Sequence, residues 1–139
     1  MKRTPLAKLG TSTSAQQKRE IQALLREIVI KRDGGCILRN YRYCGAVLGD
    51  SKHVLQADHL ITRANSATYA DSRLVVCLCR TCHGWKHWHK EEYEALVRSI
   101  LPKQRAELWE RALIESWRPT KQDWAIHILA LKKDLEMLH

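Results

Sequence analysis

The spacing of the cysteines constrains this chain more than any other feature. Cys79 and Cys82 form a C-x-x-C pair, and Cys36 and Cys44 form a wider pair with seven residues between them. Four thiolates in two pairs match a tetrahedral structural zinc site, whose binding energy goes directly into folding. The wider pair departs from the usual spacing of two to four residues. Residues 37–43 therefore read as an enlarged knuckle loop, closed by the turn at Cys44-Gly45. A second reading stays open, because cysteine is also common apolar core filling. Cys77 is the fifth thiol. On a strand it shares a face with Cys79, so it is either a competing ligand or filling.

Length and charge narrow the class. A chain of 139 residues is the usual size of one domain and buries enough surface to fold around a core. No apolar run approaches the ~20 residues needed to cross a bilayer. Residues 1–9 are basic, but no apolar stretch follows them, so no signal peptide and no membrane partner are expected. That points to an intracellular, cytoplasmic protein with reduced thiols, in which clustered cysteines suggest a metal before disulfides. The net charge of +9 is unevenly placed. Residues 1–33 and 34–90 each carry eight Lys/Arg against three acids, whereas 91–139 carry eight against nine. An excess confined to the first two-thirds favours a polyanionic partner, DNA above all.

Local patterns place the elements. Residues 1–13 read as a flexible basic arm. Ser14 and Gln17 form a capping-box pattern, Ile21, Leu24, Leu25, Ile28 and Val29 recur at helical spacing, and Gly34-Gly35 stops the run. These predict a helix over 15–32. Residues 53–59 read as a strand, 61–72 as a loop, and Leu74, Val75, Val76 and Leu78 as a short apolar run. A helix begins near Cys82. Beyond residue 90 three helices follow, with Pro102 in a first turn and Thr120/Asp123 marking the last N-terminus. The last helix carries a stripe of Trp124, Ile128, Leu131, Leu135 and Leu138, which is either core or a dimer seam.

Five of the seven histidines fall between residues 53 and 89. His83 and His87 are four apart and share a helix face. With the carboxylate of Asp58 they would make an open divalent-metal site. On a strand His59 points away from Asp58, so one of the two can bind metal while the other acts as base. His53, His89, His127 and His139 read as ordinary surface residues, and Trp85 and Trp88 as packing residues.

The residues Asp58-His59-Leu60-Ile61, followed by Leu74-Val75-Val76-Cys77-Leu78-Cys79-Arg80-Thr81-Cys82-His83-Gly84-Trp85-Lys86-His87, resemble an HNH endonuclease. Arg32-Asp33-Gly34-Gly35-Cys36 resembles the start of that family's first knuckle. The resemblance covers about residues 32–90. It implies an α+β, mostly helical fold: a ββα-metal core with a zinc knuckle, flanked by an N-terminal helix and C-terminal helices. It further implies that His59 is the general base. Asp58, His83 and His87 would hold catalytic Mg²⁺ or Mn²⁺, and Cys36, Cys44, Cys79 and Cys82 structural Zn²⁺. Arg63, Arg80 and Lys86 are candidates for holding DNA phosphates. One departure stands out. The family often places a bracing Asn where this chain has Asp71-Ser72-Arg73, and Asp71, Ser72 or Asn65 are the available substitutes.

Glu92-Tyr93, Trp117, Thr120, Asp123 and Lys132-Lys133-Asp134-Leu135 resemble the tail of the Rap/NinG group of lambdoid phage recombination nucleases. That resemblance implies branched DNA, including Holliday junctions and displaced-strand joints, as substrate. It also makes a homodimer attractive, because two symmetric nicks need two sites. The expectation is thus one domain over 14–139, with its motif core at 32–90 and a helical extension at 91–139. The competing readings are a restriction- or toxin-type nuclease on the same motif, and a non-catalytic zinc-containing DNA-binding module.

Overall fold

The computed structural model describes residues 13–49 and 53–138. The basic arm expected over residues 1–13 lies outside them except for Thr13.

The first helix, α1, spans Ser14–Asp33. Its capping box is one residue earlier than the sequence suggests: the Thr13 side chain accepts from the Gln16 backbone, and Gln16 reaches back to Thr13. Gln17 is buried instead, and its Nε2 donates to the Lys121 carbonyl at 3.1 Å. Ile21, Leu25, Ile28 and Val29 form the buried stripe, and each such side chain contributes about 1.5–3 kcal/mol. Gly34 ends the helix in the left-handed conformation (φ 74°), which glycine adopts at little cost.

Two strands follow, β1 (Leu55–His59) and β2 (Val75–Cys79), paired antiparallel from Leu55 opposite Cys79 to His59 opposite Val75. The predicted strand began at 53, two residues early. All five residues of β2 are buried, which is why it reads as a continuous apolar run rather than an alternating one. The Arg32-Asp33 pair stitches α1 onto this strand. Arg32 donates to the carbonyls of Ser72 (2.7 Å) and Val75 (2.6 Å), and Asp33 Oδ2 accepts the Cys77 amide at 2.9 Å.

Helix α2 (Arg80–Trp88) leaves β2 directly and begins two residues before Cys82. Its N-cap is Cys79, whose sulfur accepts the Cys82 amide at 3.5 Å. The C-x-x-C motif is therefore also a helix start. Helices α3 (Lys90–Ile100) and α4 (Lys103–Ala112) follow, with Pro102 at the N-cap of α4. Helix α5 (Lys121–Glu136) has the Thr120/Asp123 capping box expected from sequence. Its Trp124, Ile128 and Leu131 are buried, with Leu135 and Leu138 packed at the edge, and α5 lies against α1. The stripe is core. Among the described residues no helix is long and apolar enough to cross a membrane.

Candidate functional site

The knuckle loop between α1 and β1 starts at a close backbone crossing. Gly35 (φ 151°) bridges to Val47, and a Cβ there would lie 2.5 Å from the Ala46 carbonyl oxygen. Cys36 donates its amide to Ala46, and Ile37 donates to Cys77 on β2. These bonds carry Cys36 and Cys44 to the junction of β2 and α2, where Cys79 and Cys82 stand. The ligand atoms of all four cysteines lie within 4.8 Å of one another, and three of the four residues are buried. A zinc ion with Zn–S bonds of ~2.3 Å needs sulfurs about 3.8 Å apart, so the set fits a tetrahedral ion after a small contraction.

Electrostatics agree with that fit. The Cys36 thiol is pulled down to about 5, chiefly by a hydrogen bond from Cys82, while Cys82 itself is pushed up by the same pairing. Crowded sulfurs competing for protons are the arrangement a dication relieves. Arg42 adds a nearby positive charge, its Nη1 3.7 Å from Cys82 Sγ and its guanidinium stacked on Trp85 at 4.3 Å. Cys77 takes no part. It is buried, and burial pushes its thiol up to about 12, so it is apolar filling.

A second group of side chains surrounds Asp58, on the far end of β1. Asp58 is only 5% exposed. Lys86 Nζ donates to both of its oxygens at 2.9 Å, and the Tyr93 hydroxyl donates to Oδ2 at 2.6 Å. His83 Nδ1 lies 3.4 Å from Oδ1 but makes no hydrogen bond; that atom is covered, although the His83 side chain is 39% exposed. Two donors ~2.1 Å from one ion stand roughly 3.0–3.4 Å apart, so Asp58 and His83 fit as neighbouring ligands of a divalent cation. His87 is exposed. It touches His83 edge-on, with ring centroids 5.0 Å apart. Among the described residues the four cysteines are the one set of three or more ligating side chains in mutual reach, so Asp58, His83 and His87 are not gathered as a trio.

His59 is held differently. Its Nε2 is 2.9 Å from the Tyr69 carbonyl, and its ring stacks on Tyr69 at 5.0 Å. A carbonyl only accepts, so Nε2 carries the hydrogen and Nδ1 keeps its lone pair. That Nδ1 has no hydrogen-bond partner among the described residues and is covered from solvent, so a water reaches it only when the ring or its cover shifts. Burial, above all, holds the imidazole below its ordinary value, with Arg63 and Lys86 adding to the effect against Tyr69 and Asp58. The ring is neutral near pH 7.

Asp58, His59 and His83 line one cleft of about 700 Å³. As strand alternation predicts, Asp58 and His59 have different partners, Lys86 and Tyr93 for the first and Tyr69 for the second, and both residues line the cleft at the end of the strand. Arg63, Lys86, Lys90 and Arg98 line it too, against the acids Asp58 and Glu94. Of the three expected phosphate holders, Arg63 is on the cleft, Lys86 is there but bound to Asp58, and Arg80 is exposed at the start of α2, outside it. Trp88 does not pack: it is 87% exposed. The loop between the strands is tied by Asn65, which donates to the Glu115 carbonyl and accepts from Ala67, and by Asp71, which caps the turn Ser72–Leu74.

Sequence reasoning missed Tyr93 and the partner of Lys86. Tyr93 reads as one member of an apolar helical stripe, and only tertiary packing brings its hydroxyl to a carboxylate 35 residues away. Comparison with family models, curated proteins and solved structures finds no match to this chain.

Proposed function

We propose that this chain is a metal-dependent DNA endonuclease of the HNH type that hydrolyses phosphodiester bonds in the cleft around Asp58. The observation that carries this reading is one cation-rimmed cleft lined by a buried carboxylate, Asp58, and by two imidazoles, His59 and His83, each with a ring nitrogen that makes no hydrogen bond. His59 Nδ1 accepts a proton from the attacking water, while its Nε2–H stays on the Tyr69 carbonyl and fixes the ring. Asp58 and His83 hold Mg²⁺ or Mn²⁺, which when bound neutralises charge on the scissile phosphate and on the departing 3′ oxygen. The new P–O bond forms as the P–O3′ bond breaks. Arg63 and Lys90 hold flanking phosphates, whereas Arg98 is committed to Glu110 at 2.8 Å and to the Trp109 ring. The four cysteines hold structural zinc and fix the base of α2, which carries His83.

Branched DNA is the proposed substrate and a homodimer the proposed working form; both rest on the resemblance of the C-terminal region. One observation favours a second reading, a non-catalytic zinc-containing DNA-binding module: the Asp58 carboxylate already has two partners, Lys86 and Tyr93. Incubation of the zinc-replete protein with linear, single-stranded, forked and four-way DNA, in Mg²⁺, Mn²⁺ or EDTA, separates them. Cleavage that needs the divalent ion and prefers forked or four-way DNA is expected. Binding without cleavage on every substrate leaves the binding module.

A further inference from the structure

Lys86 stands where a phosphate-holding residue would be useless, bound face-on to the carboxylate that the proposed reaction needs. It follows His83 by three residues on α2, so both side chains reach β1 from one helix face. Its ammonium contacts both Asp58 oxygens at 2.9 Å and lies 5.0 Å from the Tyr93 ring centroid. The side chain is 24% exposed, and it lines the cleft shared with Arg63 and Lys90.

We infer that Lys86 is a tethered cation that exchanges with the divalent ion on Asp58 and, once displaced, takes a phosphate of the substrate. The inference rests on the proposed reading of Asp58 and His83 as ligands. An ion ~2.1 Å from Asp58 Oδ1 would lie within about 5 Å of an ammonium that is itself 2.9 Å from that oxygen. A monovalent and a divalent charge that close repel strongly in a partly buried site. Asp58 therefore satisfies one or the other. Without the ion, Lys86 keeps a buried carboxylate paired, since an unpaired one is costly. With the ion, the same ammonium is released on a four-carbon stem at the wall of a cationic cleft. Loading the ion thus arms a phosphate contact in the same step, and a metal-free molecule holds substrate with one contact fewer.

The test measures Mn²⁺ affinity by electron paramagnetic resonance on zinc-replete wild type, Lys86→Met, Lys86→Arg and Asp58→Asn, with zinc content as the folding check. Lys86→Met removes the competitor and keeps the stem, so it binds Mn²⁺ about tenfold tighter than wild type or more. Lys86→Arg keeps the charge and binds no tighter than wild type. Equal or weaker Mn²⁺ affinity in Lys86→Met, or a gain in Lys86→Arg matching it, overturns the inference. Unchanged Mn²⁺ binding in Asp58→Asn instead removes the metal reading on which it rests. A second readout is the salt dependence of DNA binding. In Ca²⁺ the slope of log affinity against log salt is shallower for Lys86→Met than for wild type by about 0.9, and without divalent ion the two slopes coincide. Coincident slopes in both conditions overturn the phosphate role.

Discussion

Removing one hydroxyl tests how the buried carboxylate is held. Tyr93→Phe keeps the ring, which is 1% exposed, and deletes only the 2.6 Å hydrogen bond to Asp58 Oδ2. Burial, with Asp58 beside it, pushes the phenol well above its ordinary range, so the hydroxyl is always protonated and always a donor. A hydrogen bond to a charged group contributes about 1.5–3 kcal/mol net. Lys86 still covers both oxygens, so the loss belongs in the middle of that range, about 2 kcal/mol. For a chain of this size that lowers Tm by about 6–8 °C. Urea and thermal unfolding of the zinc-replete protein measure it, and a double-mutant cycle with Asp58→Asn isolates the pair. Coupling of about 1.5 kcal/mol or more is expected. A Tm within about 1 °C of wild type, or coupling below about 0.5 kcal/mol, refutes the reasoning.

Three further outcomes follow from the same geometry. Cys79→Ser loses zinc and unfolds or nearly so, because binding of structural zinc is worth about as much as the whole domain's stability, whereas Cys77→Ala keeps one zinc per chain; atomic absorption and circular dichroism distinguish them. Gly35→Ala drives a Cβ to 2.5 Å from the Ala46 carbonyl and 2.8 Å from Val47 Cα, both backbone atoms, and destabilises by about 1–3 kcal/mol or more in urea; wild-type stability contradicts the close crossing. His59 is held below its ordinary 6.5, so as pH falls the unfolded chain takes up that proton first. Stability from this group is therefore full above about 6.5 and is lost as pH falls through the window between 6.5 and the folded value. Urea midpoints across pH 5–8 lose that part of their slope in His59→Gln, and an identical slope in the variant contradicts the assignment.

What the sequence made legible was local. Gly34 stopped α1, Thr120 and Asp123 started α5, and C-x-x-C marked both half of the four-thiol cluster and a helix start, because each pattern is satisfied by neighbours in the chain. The first capping box was misplaced by one residue because Thr13/Gln16 and Ser14/Gln17 fit the same pattern. A tertiary bond from Gln17 to Lys121 accompanies the observed choice. The convergence of the cysteines was legible although one pair is widely spaced, since few other arrangements use four thiols. The surroundings of Asp58 were not. Lys86 and Tyr93 lie 28 and 35 residues away, and nothing in their local spacing marks them as partners of a carboxylate. The hold on His59 was not legible either, because the Tyr69 carbonyl that orients it belongs to the following loop.

Single-turnover cleavage by zinc-replete wild type and His59→Ala, on the DNA the wild type cuts best and with Mg²⁺ saturating, tests the central claim most directly. The account predicts a rate lower by about 10²–10⁴-fold in the variant, with DNA affinity and zinc content unchanged. Cleavage by His59→Ala at the wild-type rate would contradict it.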